Sequence, residues 1–484
     1  MMLNDPDACY QALLSRDGRF DGRFYVGVSS TGIYCRPVCR VRTPKPENCR
    51  YFPSATAAEA AGFRPCLRCR PEQAPGRAPI DATARLVQAA VGLVEERLDA
   101  AWTVESLAAR VGVTPRHLRR LFEATFGLAP SAYLARRRIQ VARQLLAASE
   151  LPIGEVALAA GFRSLRCFNQ SFRTHCGMPP GQIRRSPVDA DGSGSFPLAW
   201  RAPYDWDAMC GFLGRRAIPL VEAVVHDGAR PGYRRVVGLR DDQGNGPTGW
   251  VSVTPGDHGL TVRISAALLP RFPAVLARLR RLFDLDCDPQ EVGAVLGSVA
   301  ARRPGLRLPG SVDGFETSVR AILGQQVSVQ AARTLATRLV ERFGGAIDTP
   351  WPDLRRAFPP PAVLAAQPAE ALAALGILPA RARAIIGLAG AVERGDLMLV
   401  PNADVGATRA ALLALPGIGP WTAEYILMRA LSWPDAFPEG DVGIHKALGI
   451  DKRAEVARRA EDWRPWRAYA VIHLWQHLED GHEP

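Results

Sequence analysis

Apolar positions recur at helical spacing through much of the chain, and the places where that pattern breaks mark its divisions. Thr103–Gly112 (TVESLAARVG) predicts a helix with Leu107 and Val111 inward and a glycine at its end. Val113-Thr114-Pro115 then reads as a turn, with Thr114 as the cap and Pro115 at the first helical position. Arg116–Thr125 (RHLRRLFEAT) predicts a basic amphipathic helix resting on Leu118 and Phe122. The same arrangement returns downstream. Ile153–Gly161 is a supporting helix, and Ser164–Cys176 follows it with Phe168 and Phe172 inward. A supporting helix, a tight turn and a basic helix make a unit that lays its second helix in the DNA major groove. Two such units can address two successive groove segments. The residues left outward to read DNA are Arg116, Arg119, Arg120, Arg166 and Asn169. Cys167 and Cys176 are expected to be packed as small hydrophobes.

Beyond this block the pattern changes. Val221–His226 and Leu260–Ile264 are strand-like, and Leu268–Phe283 returns to helical spacing. From Gly310 onward the chain is Ala/Leu-rich and helical, punctuated by short turns. Pro71–Pro79 (PEQAPGRAP) and Ser186–Ser195 (SPVDADGSGS) read as linkers. The expected organisation is therefore a small α/β cysteine-rich domain over 1–75 and an all-α double helix-turn-helix domain over 81–185. A flexible linker follows over 186–195, then an α+β antiparallel-sheet domain over 196–309 and an all-α domain over 310–484. Across such a linker the front and back halves are expected to act independently.

Charge narrows the partners. The chain has 484 residues, a formal net charge of +12 and a pI of about 9.5. An excess of this size favours a polyanion, and double-stranded DNA is the expected one. No stretch has the form of a signal peptide, and no apolar run reaches the roughly 18 residues that span a membrane. The expectation is a cytoplasmic protein at the bacterial nucleoid, without a membrane partner. It is expected to be monomeric, for want of dimerisation heptads.

Of ten cysteines, six lie within the first seventy residues. In a reducing compartment that clustering points to metal or to reactive thiolates. Cys35-x3-Cys39 and Cys66-x2-Cys69 can bring four sulfurs to one tetrahedral Zn²⁺, either as a purely structural knuckle or as a reactive centre. Cys9 and Cys49 do not fit the spacing. The string TGIYCRPVC…AAGFRPCLRC resembles the N-terminal domain of the Ada adaptive-response family. That resemblance implies Cys35 as zinc ligand and methyl acceptor for a methylphosphotriester, and Cys39, Cys66 and Cys69 as the other ligands. It also implies Thr31, Arg40, Arg42 and Arg64 as DNA contacts. Each arginine taken alone reads first as a solvated basic residue. GFRSLRCFNQSFRTHCGMPPGQIRR resembles the second half of an AraC-type DNA-binding domain, which adds RNA polymerase as a candidate partner. No Pro-Cys-His-Arg motif of a second Ada methyltransferase domain occurs, so repair of guanine-oxygen methylation is not expected.

In the back half, Leu415-Pro-Gly417-Ile-Gly419-Pro-Trp421-Thr422 stands between helical stretches. Such a turn can present backbone N–H groups and a helix N-terminus to a phosphate, or it can merely connect two helices. Asp441 follows about twenty residues later and, alone, reads as an ordinary helix cap. Together they resemble the helix-hairpin-helix, Gly/Pro…Asp glycosylases. PYDWDAMCGFLGRRA, RLFDLDCDPQ, AILGQQVSV and WRPWRAYAVIHLW narrow the resemblance to AlkA-type 3-methyladenine glycosylases over about Leu198–Glu479. The resemblance implies Asp441 as the catalytic carboxylate. It implies Phe212, Trp421, Tyr425 and Trp475 as an electron-rich base pocket. Gln326, Gly417, Gly419 and Thr422 would be DNA contacts, with Gln326 where an apolar wedge is usual. Val442 replaces an aromatic beside the carboxylate, which implies a pocket that is roomier or less stacking. Trp421 holds the position where backbone-nicking relatives carry a lysine, so a monofunctional enzyme is expected. No cysteine follows Cys287, so no iron–sulfur cluster is expected. The function expected is a bifunctional alkylation-damage protein, both methyl-accepting regulator and excising glycosylase. The rival is a pure transcription regulator whose back half only binds DNA.

Overall fold

The structure is a computed structural model that describes residues 6–481 apart from 17–19, 22–23, 54, 73–81, 99, 184–191, 240–245 and 402. Most of the Pro71–Pro79 and Ser186–Ser195 stretches lies outside the described residues. The front domain is built on a four-stranded sheet of β1 (Tyr25–Val28), β2 (Ile33–Cys35), β3 (Cys49–Phe52) and β4 (Arg64–Pro65), in the order β3-β1-β2-β4. Only the β2–β4 pairing is parallel, and with the Cys66 N–H donating to the Tyr34 carbonyl at 3.0 Å it sets Cys66 beside the strand that ends at Cys35. Its apolar groups form small separate clusters, one of which consists of the four cysteines themselves. A domain with so little core gains from a cross-link, and the clustered sulfurs are the place where one can form.

The expected helix-turn-helix pattern forms with its caps. Thr103 caps Val104–Arg110, Thr114 caps Pro115–Phe126 with proline at the first turn, and Ser164 caps Leu165–Cys176. Gly127 and Gly177 end the two outward helices in the left-handed conformation that favours glycine. Leu107, Leu118, Phe122, Phe168 and Phe172 are buried, while Val111 is half-buried. Arg116, Arg119, Arg120 and Arg166 are exposed and Asn169 is half-buried. Cys167 corrects the sequence expectation: it is exposed on the second outward helix, and Cys176 is only half-buried. The apolar face of that helix is already filled by its two phenylalanines.

A five-stranded antiparallel sheet follows: β5 (Gly194–Ala199), β6 (Glu222–Val225), β7 (Gly232–Gly238), β8 (Thr248–Pro255) and β9 (Gly259–Ile264), ordered β5-β9-β8-β7-β6. β5 alternates strictly, with Gly194, Phe196 and Leu198 inward. The last two residues of the expected linker, Gly194 and Ser195, are therefore already strand. The independence expected of the two halves is corrected as well. Helix Ala82–Glu96 packs on helix Phe272–Leu282, and helix Pro130–Ala148 packs on β5. A Cβ at position 194 would stand 2.8 Å from Leu269 Cδ2, 2.9 Å from Phe196 Cε2 and 3.0 Å from the Ala148 carbonyl oxygen, so the approach is close enough to favour glycine. One apolar core runs from Val87 and Leu146 through Phe196 and Leu269 into the back half. The remaining helices, from Gly314 to Glu479, form the final all-α layer around Ile322, Leu388, Leu427 and Ile472.

Candidate active site and metal centre

The back-half site begins with the turn before helix Pro420–Arg429. Gly417 sits at φ +88°, and a Cβ there would meet Ala384 Cβ at 2.9 Å, so the position requires glycine on two counts. Gly419 has an ordinary φ of −90° and open space around it, so nothing steric demands glycine there. Both glycines are exposed, which suits a backbone surface facing a phosphate. Thr422 departs from the sequence expectation. It is buried, and its hydroxyl accepts from Gln325 Nε2 at 2.9 Å, so it is not free to touch DNA. The same Gln325 amide donates to the Gly417 carbonyl at 2.9 Å, and Arg381 donates to the Gln325 carbonyl. These bonds pin the loop that presents Gln326. Gln326 is exposed and held at φ +52°, an unusual conformation for a residue with a side chain.

Asp441 is both the cap that sequence alone suggests and something more. It caps helix Val442–Leu448 by accepting from the Ile444 N–H at 3.0 Å. The same oxygen, Oδ1, accepts from Trp475 Nε1 at 2.9 Å, and Oδ2 accepts from Trp421 Nε1 at 2.9 Å. Three N–H donors therefore fix the carboxylate plane. Trp421 is stacked on Tyr425 with centroids 5.3 Å apart, and Tyr425 lies 6.3 Å from Trp475. These groups line a cavity of about 410 Å³ that reaches Asp441. The volume falls within the roughly 300–1,000 Å³ usual for small-molecule pockets. Val442 is turned outward and exposed. Gly443 is the neighbour that matters, since a Cβ there would press to 3.0 Å on Asp441 Oδ1 and 3.1 Å on the Trp475 ring.

Phe212 lines the cavity, but its ring is already occupied. The Arg216 guanidinium lies 3.8 Å and the Arg429 guanidinium 4.8 Å from its centroid. Behind them Glu222, Arg235, Glu316 and Arg320 form a buried ionic cluster that ties the sheet domain to helix Gly314–Leu323. Burial works against the Glu222 carboxylate, yet Arg320 and Arg235 hold it down at about 2. Sequence reading passed over Arg216, Arg429 and this cluster. The available signal was the i, i+4 spacing of Phe212 with Arg216, of Glu316 with Arg320 and of Tyr425 with Arg429.

The second centre lies in the front domain. Sγ atoms of Cys35, Cys39, Cys66 and Cys69 all lie within 4.8 Å of one another, and all four residues are buried. Tetrahedral Zn–S bonds of about 2.3 Å need sulfurs about 3.8 Å apart, so the donor set fits. Hydrogen bonding to Cys39 and Cys69, and then burial, pushes the Cys35 thiol up, so a bound cation is what would let all four sulfurs ionise. The Arg36 N–H points at Cys69 Sγ at 3.5 Å. Thr31, Arg40, Arg42 and Arg64 are all exposed around this domain, while Cys9 and Cys49 stand outside the cluster.

Four family models match the chain in sequence order. They are the metal binding domain of Ada over residues 8–72 and a helix-turn-helix domain over 107–186, followed by the AlkA N-terminal domain over 195–313. The fourth is the HhH-GPD superfamily of base excision DNA repair proteins over 319–461. The chain is 40% identical to the "Probable bifunctional transcriptional activator/DNA repair enzyme AlkA" of Mycobacterium tuberculosis, over 99% of this chain and 97% of that one. It is 42% identical to DNA-3-methyladenine glycosylase 2 of Escherichia coli, over 60% of this chain and 99% of the relative. A 3-methyladenine DNA glycosylase structure from Archaeoglobus fulgidus shares the fold of the back half, with a TM-score of 0.51 at 22% identity, covering 59% of this chain and 98% of that one. The four-cysteine cluster is accordingly a zinc site. The chain belongs to the bifunctional Ada–AlkA family, in which an Ada-type zinc domain and a helix-turn-helix domain are joined to an AlkA-type helix-hairpin-helix glycosylase.

Proposed function

We propose that the back half removes N-alkylated purines such as 3-methyladenine from duplex DNA by hydrolysing the N-glycosidic bond, and that it does so without nicking the backbone. The observation that carries this reading is Asp441, held by two indole N–H groups on the wall of an aromatic cavity. A purine rotated out of the duplex would occupy the cavity beside Trp421, Tyr425 and Trp475. Breaking the C1′–N bond sends its electron pair to the purine and leaves the sugar cationic. The fixed Asp441 carboxylate stabilises that cation until water adds at C1′ and passes its proton to the carboxylate, from which it leaves to solvent. Trp421 supplies no amine, so no Schiff base forms and an abasic site remains. Gln326 would fill the gap left by the rotated base, and the exposed Gly417 and Gly419 would meet the backbone.

In the front half, Cys35 is the proposed methyl acceptor. Zinc, when bound, keeps this sulfur as thiolate at neutral pH. The sulfur attacks the methyl carbon of a methylphosphotriester. An S–C bond forms, the O–C bond breaks, and an anionic phosphodiester is restored. The thioether carries no negative charge, so repulsion from DNA falls and affinity rises. Thr31, Arg40, Arg42 and Arg64 would hold the backbone. Arg116, Arg119, Arg120, Arg166 and Asn169 would read a promoter, where RNA polymerase is the partner to be recruited. The protein is proposed to act as a monomer in the cytoplasm.

The test is incubation of the full chain with methylated duplex DNA, scoring released purine and methyl transferred to protein. Release of 3-methyladenine together with alkali-sensitive but unbroken strands is expected. Binding without release would leave only the regulator.

A further inference from the structure

The cavity beside Asp441 has two electrically different ends, and helix Pro420–Arg429 measures the distance between them. Trp421 in its first turn bonds the carboxylate. Tyr425, one turn on, stacks against Trp421, and its hydroxyl accepts from Arg429 Nη1 at 3.0 Å. From Trp421 to Arg429 the axis advances about 12 Å at roughly 1.5 Å per residue. An anion therefore stands at one end and cations at the other.

The cations are not all equivalent. Arg235 and Arg320 are matched by Glu222 and Glu316, and Arg215 is matched by Glu479. Arg216 and Arg429 form no ion pair among the described residues. Arg216 donates to the Phe212 carbonyl at 3.3 Å, and Arg429 donates to the carbonyls of Pro309 and Gly310. Both cover the Phe212 ring, and both line the cavity. Their field is felt nearby. Burial raises the Tyr425 phenol, yet Arg429, Arg216 and Arg320 together outweigh it and hold the phenol below its usual range.

We propose that Arg216 and Arg429 form the repelling end of an electrostatic push across the cleft, opposing a cationic purine in the ground state and relieved as its charge passes to the sugar beside Asp441. The inference rests on the glycosylase reading above. An N-alkylated purine enters positively charged and leaves neutral, because the electron pair of the breaking bond goes to its ring. Repulsion from the guanidiniums therefore falls along the reaction, while attraction by Asp441 grows. Ground-state destabilisation of this kind accelerates the chemical step at the expense of binding. A neutral purine gains electron density as it departs, and the same guanidiniums then stabilise it. The push thus serves both charge types, with opposite consequences for binding.

Arg216 is the residue to change, since Arg429 also satisfies two backbone carbonyls. Single-turnover rates and half-saturating concentrations would be measured for wild type, Arg216→Met and Arg216→Lys. The substrates are duplexes carrying one 7-methylguanine (cationic) or one hypoxanthine (neutral). For 7-methylguanine, Arg216→Met is expected to lose about tenfold in maximal rate, equal to about 1.4 kcal/mol, with half-saturation unchanged or lower. Arg216→Lys is expected to stay within about threefold of wild type. With hypoxanthine, Arg216→Met should lose rate without any gain in binding. The inference is overturned if the Met variant keeps its rate. It is equally overturned if rate and half-saturation worsen together on the cationic lesion, as a packing defect would cause, or if Lys fails as badly as Met. A wild type that releases neither base would refute the glycosylase reading itself, a separate result.

Discussion

Asp441→Asn separates the charge of this side chain from its place in the fold. Oδ1 takes two N–H groups, from Ile444 and Trp475, and Oδ2 takes one from Trp421. Asparagine keeps one oxygen, which can still cap the helix and meet Trp475. Its amide nitrogen then faces the Trp421 indole N–H, donor against donor. An unsatisfied pairing of that kind costs about 1–3 kcal/mol locally, so a fall of a few degrees in Tm is expected. Loss of the charge acts on catalysis. A carboxylate about 4 Å from a sugar cation, at an effective dielectric of about 20, contributes about 4 kcal/mol. That corresponds to a rate loss of about 10³-fold. DNA affinity should hold or rise, because one negative charge has been removed near a polyanion. The assay is single-turnover release of 3-methyladenine at saturating enzyme, with binding to an abasic-site duplex measured in parallel. A variant rate within tenfold of wild type would refute the electrostatic argument. A parallel loss of rate and binding would show that Asp441 matters only as a helix cap.

Three further outcomes are expected. Cys35→Ala should abolish methyl uptake from methylphosphotriester DNA while leaving base release within about twofold; labelled methyl on the protein and freed purine are scored in one reaction. Gln326→Gly removes the side chain proposed to fill the gap and also relaxes a backbone held at φ +52°. Lesion-duplex affinity should fall about three- to tenfold while Tm holds or rises, whereas unchanged affinity would remove Gln326 from the DNA interface. Burial pushes the Asp284 carboxyl up to about 7, although Tyr469 and the Leu308 N–H bond it. Its folded pKa lies above the unfolded value, so the stability it contributes is full below about pH 4 and is lost as pH rises through about 7. Asp284→Asn should therefore raise Tm at pH 8 and change it little near pH 4, which thermal melts across that range would test.

The parts of this protein that sequence exposed are those governed by local rules. Thr103, Thr114 and Ser164 cap where they do because each is a short hydroxyl directly before an apolar period. The four cysteines were visible because metal geometry constrains spacing, and Asp441 because it follows the hairpin at a set distance. Thr422 misled for the same reason. Beside a glycine turn it looks like a phosphate contact, but Gln325, ninety-seven positions away, takes its hydroxyl. Cys167 misled because burial frequencies describe residue types and not helix faces. The guanidiniums of the cavity were invisible in a stronger sense. Arg320 is 98 positions from Glu222 and Arg235 is 81 from Glu316, so their pairing, which leaves Arg216 with no ion pair among the described residues, exists only once the sheet meets the helices.

The same distinction governs how the two halves are joined. A Gly/Ser-rich stretch signals reach and freedom, and it carries no information about the surfaces at its ends. Those surfaces meet at Glu96. Its carboxylate pairs with Arg278 at 3.0 Å, and its backbone carbonyl accepts from Arg271 at 2.7 Å. Half-exposed ion pairs contribute little by themselves. Here they frame an apolar seam in which Phe196 and Leu269 share one core with Leu146. Apolar area removed from water holds such a seam far better than its charges do. The outward helices of the regulator and the cavity of the glycosylase are therefore placed by packing, and the intervening residues only have to span the gap. Lengthening that segment would leave the placement intact, whereas a charge inside the seam would not.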